Sequence, residues 1–201
     1  MLFPHITSRR LAFRPASSRH HAELIRTMLR TGIENVSPAA RSKNRDLAKC
    51  DAAFLVTRRS GGDLLGFSTL HGLDPAGHVS AGVYLDPQRA RLGVGSEAIY
   101  LTINYAFAMF GVDKVIAQTT EATFGSVGLN SEQNAATGVL RDYLYFRGRH
   151  WDLHTFQTER SEWERHVDGA LGDVLGPGLS WRADPNLPSA ARPPAMNHNG
   201  I

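Results

Sequence analysis

The sequence predicts an α/β fold of the α+β type: a mixed, mainly antiparallel sheet of six to seven strands flanked by helices. Three observations carry this. Strand-like and helix-like runs alternate through most of the chain. Three of the strand-like runs follow one another across tight Gly- and Asp-bearing turns. A long apolar helix, a strand, an irregular segment and a hairpin then complete an order that suits one sheet with helices on its faces.

The elements read in order as follows. Leu11 to Pro15 is a short strand stopped by its own proline. Ser17 and Ser18 are N-caps for a helix over Arg19–Arg30, with Leu24 and Met28 on one face. Ser37-Pro38 opens a second helix, about Ala39–Lys49. Ala52–Thr57 and Leu64–His71 are strands around the turn Ser60-Gly-Gly-Asp63, and Val79–Leu85 follows the turn Asp74-Pro-Ala-Gly77. A helix from about Gly95 to Phe110 sets Ile99, Ile103, Ala106 and Phe110 at helical spacing, with Gly111 as its C-terminal cap. Lys114–Thr119 is a strand, Leu140–Phe146 and Trp151–Gln157 make a hairpin around Arg147-Gly-Arg149, and Arg160–Val167 closes the body.

A chain of 201 residues fits one domain and buries a sizeable core without staples. Its composition shifts near residue 168. Five of the ten prolines lie in 171–201, so the expected organisation is a domain over 1–168 and a Pro-rich flexible tail over 169–201, with Trp181 able to pin the tail. The lone Cys50 excludes an internal disulfide framework and a cysteine-rich zinc site. His150 and His154 lack a third ligand, so no metal is expected. Net charge is only +3, from 22 basic and 19 acidic residues, which argues against a dedicated nucleic-acid binder. The start of the chain lacks the apolar run of a signal peptide and no stretch has the length of a membrane helix. The expected location is the cytoplasm.

Chemistry concentrates in Val83-Tyr-Leu-Asp-Pro-Gln-Arg-Ala-Arg-Leu-Gly-Val-Gly-Ser-Glu-Ala98. A strand ends, a glycine-bearing loop follows and a long helix starts. Glycines let backbone N–H groups turn outward and come close to an anion, and the helix N-terminus adds about half a positive charge. Arg89 and Arg91 flank it. The pattern makes a pyrophosphate cradle, and it lacks the Gly-Lys-Ser/Thr end of a P-loop and the third glycine of the dinucleotide fingerprint.

On these residues, residues 9–166 resemble the GNAT superfamily of acetyl-CoA-dependent N-acetyltransferases, in particular the branch similar to ribosomal-protein-alanine N-acetyltransferases. The family's loop reads Arg/Gln-x-x-Gly-x-Gly/Ala. Gly93 and Gly95 match it, while Ala90 takes the first position. The resemblance implies that Arg91, Leu92, Gly93, Val94, Gly95 and Ser96 surround the pyrophosphate of CoA, and that Val83 and Leu85 offer strand backbone to the pantetheine arm. The hairpin Leu140–Phe156 and Ser161-Glu-Trp163 look like the closing part of that branch. In the family's Thr-x-x-x-Asn-x-x-Ser signature, Thr119 and Ser126 fall in place and Thr123 stands for Asn. Segment 127–137 does not read like the usual helix.

The implied activity is transfer of an acetyl group from acetyl-CoA to a primary amine of a small molecule or of a peptide or protein N-terminus, by direct attack in a ternary complex. The alternative is a CoA-binding regulatory or biosynthetic module with lost or altered catalysis. Ser126 is the expected proton donor to the thiolate. Glu121 at the end of the fifth strand is a candidate base. The Glu often found near the start of the fourth strand is missing, and His78 is the substitute, since imidazole is a side chain suited to proton transfer. Tyr143 and Tyr145 share a face of the last hairpin, and Asp142, Asp152 and Glu162 are acidic groups on the substrate side. The expected partner is an amine rather than nucleic acid or membrane, and the expected state is a monomer or homodimer.

Overall fold

The computed structural model describes residues 2–30, 47–90, 93–120, 136–146, 148–167, 172–176 and 180. Its strands are β1 (Leu11–Pro15), β2 (Ala52–Arg58), β3 (Leu64–Asp74), β4 (His78–Leu85), β5 (Lys114–Thr120), β6 (Gly138–Phe146) and β7 (Arg149–Glu159). The α-helices among the described residues are α1 (His21–Arg30), α2 (Val94–Met109), α3 (Arg160–His166) and α4 (Gly172–Leu175). All the strands join one sheet in the order β1-β2-β3-β4-β5-β7-β6. Among the described pairings only β4 and β5 run parallel, and the α2 crossover between them is the long connection that a parallel pair requires. The mixed, mainly antiparallel sheet of the sequence reading is therefore the observed one.

The two faces of the sheet are covered differently. On one, α2 packs Val94, Ala98, Leu101, Ala106 and Phe107 onto Phe54, Val56, Leu70, Val79 and Leu85. This helix is apolar around most of its girth, as a helix sunk into a core must be. Its polar positions are tied: the Ser68 and Thr102 hydroxyls lie 2.6 Å apart, and Thr102 Oγ1 donates to the Ala98 carbonyl at 2.7 Å. On the other face, Leu24 and Met28 of α1 pack with Leu47 on Phe67, beside Ala53, Leu55 and Tyr84.

Three details depart from expectation. Gly111 does not cap α2. Arg160 does, donating from Nε to the Val112 carbonyl at 2.8 Å and from Nη2 to the Phe107 and Phe110 carbonyls, each at 2.9 Å. A cation at a helix C-terminus also suits the dipole. Second, the expected flexible tail begins with packed residues. Leu175 of α4 is 1% exposed, and the Val174 carbonyl accepts the Arg9 N–H at 3.0 Å. Its Gly- and Pro-rich surroundings hide a short apolar pair that joins the core. The Ser180 carbonyl accepts a hydrogen bond from His5 Nε2, and residues 181–201 lie outside the described ones. Third, the helix expected over 39–49 falls mostly outside the described residues, of which 47–49 form a 3-10 turn. No helix among the described residues is long and apolar enough to cross a membrane.

Candidate active site

The parallel ladder between β4 and β5 is short. His78, Val79, Ser80 and Ala81 pair with Lys114, Val115, Ile116 and Ala117, and there the described pairing stops. Beyond it β5 stays with β7 as far as Thr120, and β4 stays with β3 as far as Leu85. The two strands fork. Along Gly82–Leu85 the edge of β4 facing β5 has no strand partner among the described residues, so its backbone amides and carbonyls are available to an extended ligand. The side chains of Val83 and Leu85 pack into the α2 core. They leave backbone alone to line the fork, which is the role the resemblance implies for them.

The open end of the fork leads to the start of α2. Gly93 is its N-cap, in the left-handed region at φ +81°. A side chain there is strained by that φ, and it would also have to displace Arg10, whose Nη2 would lie 2.7 Å from an added Cβ. The helix-opening hydrogen bond runs from the Glu97 N–H to the Gly93 carbonyl at 3.3 Å. Helix geometry gives the preceding N–H groups no intrahelical acceptor, and the dipole makes that end attractive to an anion. Val94 is buried at 2% and fixes the helix start in the core, so Gly95 and Ser96 belong to a held first turn.

What holds that turn escaped the sequence reading. Glu97 is buried at 4%, and both its oxygens are bonded: Oε1 accepts from Arg10 Nε at 2.7 Å and Oε2 from the Ser8 hydroxyl at 2.6 Å. Arg10 Nη2 donates to the Gly93 carbonyl at 2.9 Å. Arg10, Glu97, Gly93 and Ser96, with Arg9 and Val174, line a cavity of about 430 Å³. The turn after β4 is fixed in the same manner. Asp86, 3% exposed, takes the Arg30 guanidinium at 2.6 Å on one oxygen and the Gln88 N–H at 3.0 Å on the other. Arg89, expected to flank the anion, instead bonds the Leu64 carbonyl at 3.2 Å and lies 3.6 Å from Asp86. Arg91 and Leu92 lie outside the described residues.

On the α1 face, the strand register lays side chains out in rows, since directly opposite residues share a face. Phe67 pairs Leu55 and Tyr84, and Thr69 pairs Ala53 and Gly82. His71 pairs Ser80, which pairs Ile116 at the fork. Asp51 stands one residue before β2, so the same register sets it beside His71. Its carboxylate raises the pKa of His71, but burial lowers it more, and the net value lies below the ordinary one. The Asp51 Oδ2 is fixed by the Leu73 N–H at 2.9 Å. Two buried atoms in these rows, Thr69 Oγ1 and His71 Nδ1, have no hydrogen-bond partner among the described residues.

The candidates from sequence are distributed unevenly around this frame. Ser126 and Glu121 lie outside the described residues. His78 begins β4 at the closed end of the fork, three residues before Ala81 and so about 10 Å from the opening at ~3.3 Å per residue. Tyr143 and Tyr145 are 47% and 50% exposed on the outermost strand, and Tyr145 meets the His150 ring edge-on at 5.0 Å. The Asp152 carboxylate accepts the N–H of Asp142, whose φ of +53° marks the bulge between Leu140 and Leu144. That holds a β-bulge rather than a substrate. Trp163 is core, donating to Asn104 Oδ1 at 3.4 Å. No group of three or more His, Cys, Asp or Glu suited to a metal occurs among the described residues. Ser8, Arg10, Glu97, Thr69 and His71 are the polar residues missed.

Known proteins share this fold. A family model described as an acetyltransferase (GNAT) domain matches residues 10–131, more than half of the chain. A GCN5-related N-acetyltransferase from Brucella melitensis is 22% identical, with a TM-score of 0.56 over 80% of this chain and 82% of that one. The ribosomal-protein-S5-alanine acetyltransferase from Vibrio fischeri is 16% identical, with a TM-score of 0.56 over 78% of this chain and 98% of that one. The spermidine N-acetyltransferase from Vibrio cholerae, solved with CoA and spermine, is 14% identical, with a TM-score of 0.60 over 77% of this chain and 98% of that one. No curated protein matches the chain. The family match spans the strands that fork and the helix that starts at Gly93, and on it the chain belongs to the GNAT acetyltransferase family.

Proposed function

We propose that the protein moves an acetyl group from acetyl-CoA to a primary amine, on a small molecule or at a peptide or protein N-terminus, by direct attack in a ternary complex. The fork between β4 and β5 carries this reading, because it opens toward the Gly93-capped start of α2. A pantetheine arm laid along Gly82–Leu85 would pair with strand backbone as a missing strand would, and the pyrophosphate would sit at the helix start. The fit is supported by Gly93, where any Cβ would crowd Arg10. Backbone N–H groups of the fork polarise the thioester carbonyl. The thiolate's proton comes in this reading from Ser126, at the family's Ser position. Of the sequence candidates for base, Glu121 follows β5, and the position of His78 at the closed end counts against it. The Vibrio cholerae enzyme, solved with CoA and spermine, supports an amine as the acceptor class.

Incubation with acetyl-CoA and a panel of primary amines, followed by thiol release, is the test. Turnover with at least one amine is expected. Absence of CoA binding by calorimetry overturns the reading.

A further inference from the structure

We propose that His71, next to Asp51 in the strand register and opposite Ser80, is the base that takes the proton from the acceptor amine. The inference rests on the acetyltransferase reading and deepens it. Asp51, His71 and Ser80 lie in one row across β2, β3 and β4, and Ser80 adjoins Ala81, the last residue of β4 paired with β5. Directly opposite side chains on an antiparallel pair have Cβ atoms about 5 Å apart. That sets the imidazole within direct or one-water reach of a nitrogen attacking at the fork. Ser80 stands in the stretch of β4 where the resemblance leads one to look for Glu, and His71 is its partner on the neighbouring strand.

Two further observations point to a ligand here. Among the described residues Nδ1 of His71 is buried without a partner, and so is the hydroxyl of Thr69, which is fully buried one row nearer the open end of the fork. Buried polar atoms without partners are costly, on the order of 1–3 kcal/mol each, and persist where something else satisfies them. Burial also keeps the imidazole neutral at physiological pH, with a basic nitrogen ready, while the Asp51 carboxylate favours the imidazolium once the proton arrives. Among the described residues Asp51 is the charged group acting on His71. On β4 it faces the uncharged Ser80.

The chemistry balances. The amine nitrogen forms its bond to the acetyl carbonyl carbon, the carbon–sulfur bond breaks, and the nitrogen's proton passes to His71. The sulfur leaves as thiolate and is protonated, and His71 returns its proton to water.

Two measurements test this on the full chain. First, ring NMR follows the titration of His71 in the wild type and in Asp51→Asn, with no substrate present. The expected result is a value below the ordinary histidine range that drops further in Asp51→Asn. A value at or above that range, or one that Asp51→Asn leaves in place, overturns the proposal whatever the enzyme turns over. Second, His71→Gln is expected to lower kcat by 10²- to 10⁴-fold with the KM for acetyl-CoA unchanged. It is also expected to lose the acidic limb of the pH–rate profile. A loss within threefold with that limb intact overturns the proposal. Unchanged CoA binding by calorimetry in His71→Gln separates this failure from failure of the acetyltransferase reading.

Discussion

Around the start of α2 both oxygens of Glu97 accept hydrogen bonds and the Gly93 carbonyl takes one from Arg10, whereas on the α1 face Thr69 and His71 bury polar atoms that no described residue answers. The two regions sit at opposite ends of the same fork. In the first, the side chains that hold the helix start are bonded to one another before any ligand arrives. That is what a site for an invariant group requires, since donors already in place need no reorganisation when the ligand binds. The second is incomplete on its own. Its polar atoms are matched only when something enters, as a site for the variable reaction partner requires. On the proposed acetyltransferase reading, the difference would give rigidity to the cofactor end and discrimination to the acceptor end.

The sharpest way to break this contrast is to disturb the satisfied end. Gly93→Val puts a β-branched residue at φ +81° and a Cβ 2.7 Å from Arg10. The left-handed conformation alone costs about 1–2 kcal/mol, and displacing Arg10 uncovers Glu97. Calorimetry is expected to show at least a tenfold loss of CoA affinity together with a lowered melting temperature. Wild-type affinity would remove the helix start from the binding site. Glu97→Ala is next. It leaves the Ser8 hydroxyl and the Arg10 guanidinium without their shared acceptor, and breaking such a buried pair costs about 3–5 kcal/mol, reduced here because Arg10 is half-exposed. Denaturant unfolding is expected to show a lower midpoint with an unchanged slope. A loss below about 0.5 kcal/mol would make the cluster incidental.

These residues also show where sequence is informative. Gly93 and Gly95 are legible because a strand, a loop and a helix in succession demand glycine at one local position. Arg10 is not, because its partner Gly93 lies 83 residues away and only the sheet brings β1 beside α2. Arg89 misleads for the converse reason: adjacent in sequence to the loop, it is bonded back to Leu64. His71 is hidden by a bulge. Asp74 pairs His78, and counting back at constant register would set His71 opposite Ala81. The shift between His71 and Asp74 sets it opposite Ser80 instead, on the other face of β4. A one-residue slip exchanges the faces of a strand, so no alternation pattern read from the turn finds this row. The fork itself was predictable only through family resemblance, since strand-length runs say nothing of where a ladder stops.

At the unsatisfied end the expected effects are smaller in stability and opposite in sign. Thr69→Val replaces a fully buried, unpartnered hydroxyl with a methyl of nearly the same shape. Removing an idle buried hydroxyl is expected to raise stability by about 1 kcal/mol, as read by denaturant unfolding. Turnover should fall in the same variant if the hydroxyl contacts the acceptor. A destabilised Thr69→Val with full activity would show that the hydroxyl serves the fold, and the contrast between the two ends would weaken.

The smallest effect is a pH dependence that both ends of the molecule share. His71 and His5 each have a pKa lowered chiefly by burial, offset in part by Asp51 for His71 and by the Ser180 carbonyl for His5. The unfolded chain therefore binds more protons than the folded one once pH falls below the ordinary histidine value near 6.5. Stability is expected to be level above that value, to decline as pH falls from it toward the lowered folded values, by at most about 1.4 kcal/mol per pH unit for each proton taken up differentially, and to level off below them. His71→Gln should remove one share of the decline and His5→Gln the other, leaving a flatter profile in the double variant. Because His5 contacts Ser180 and His71 lies on the acceptor face, the two shares separate by ligand: an amine bound at the fork should suppress the His71 share alone. Equal suppression of both would mean that the acid response belongs to the whole fold rather than to the incomplete end of the site.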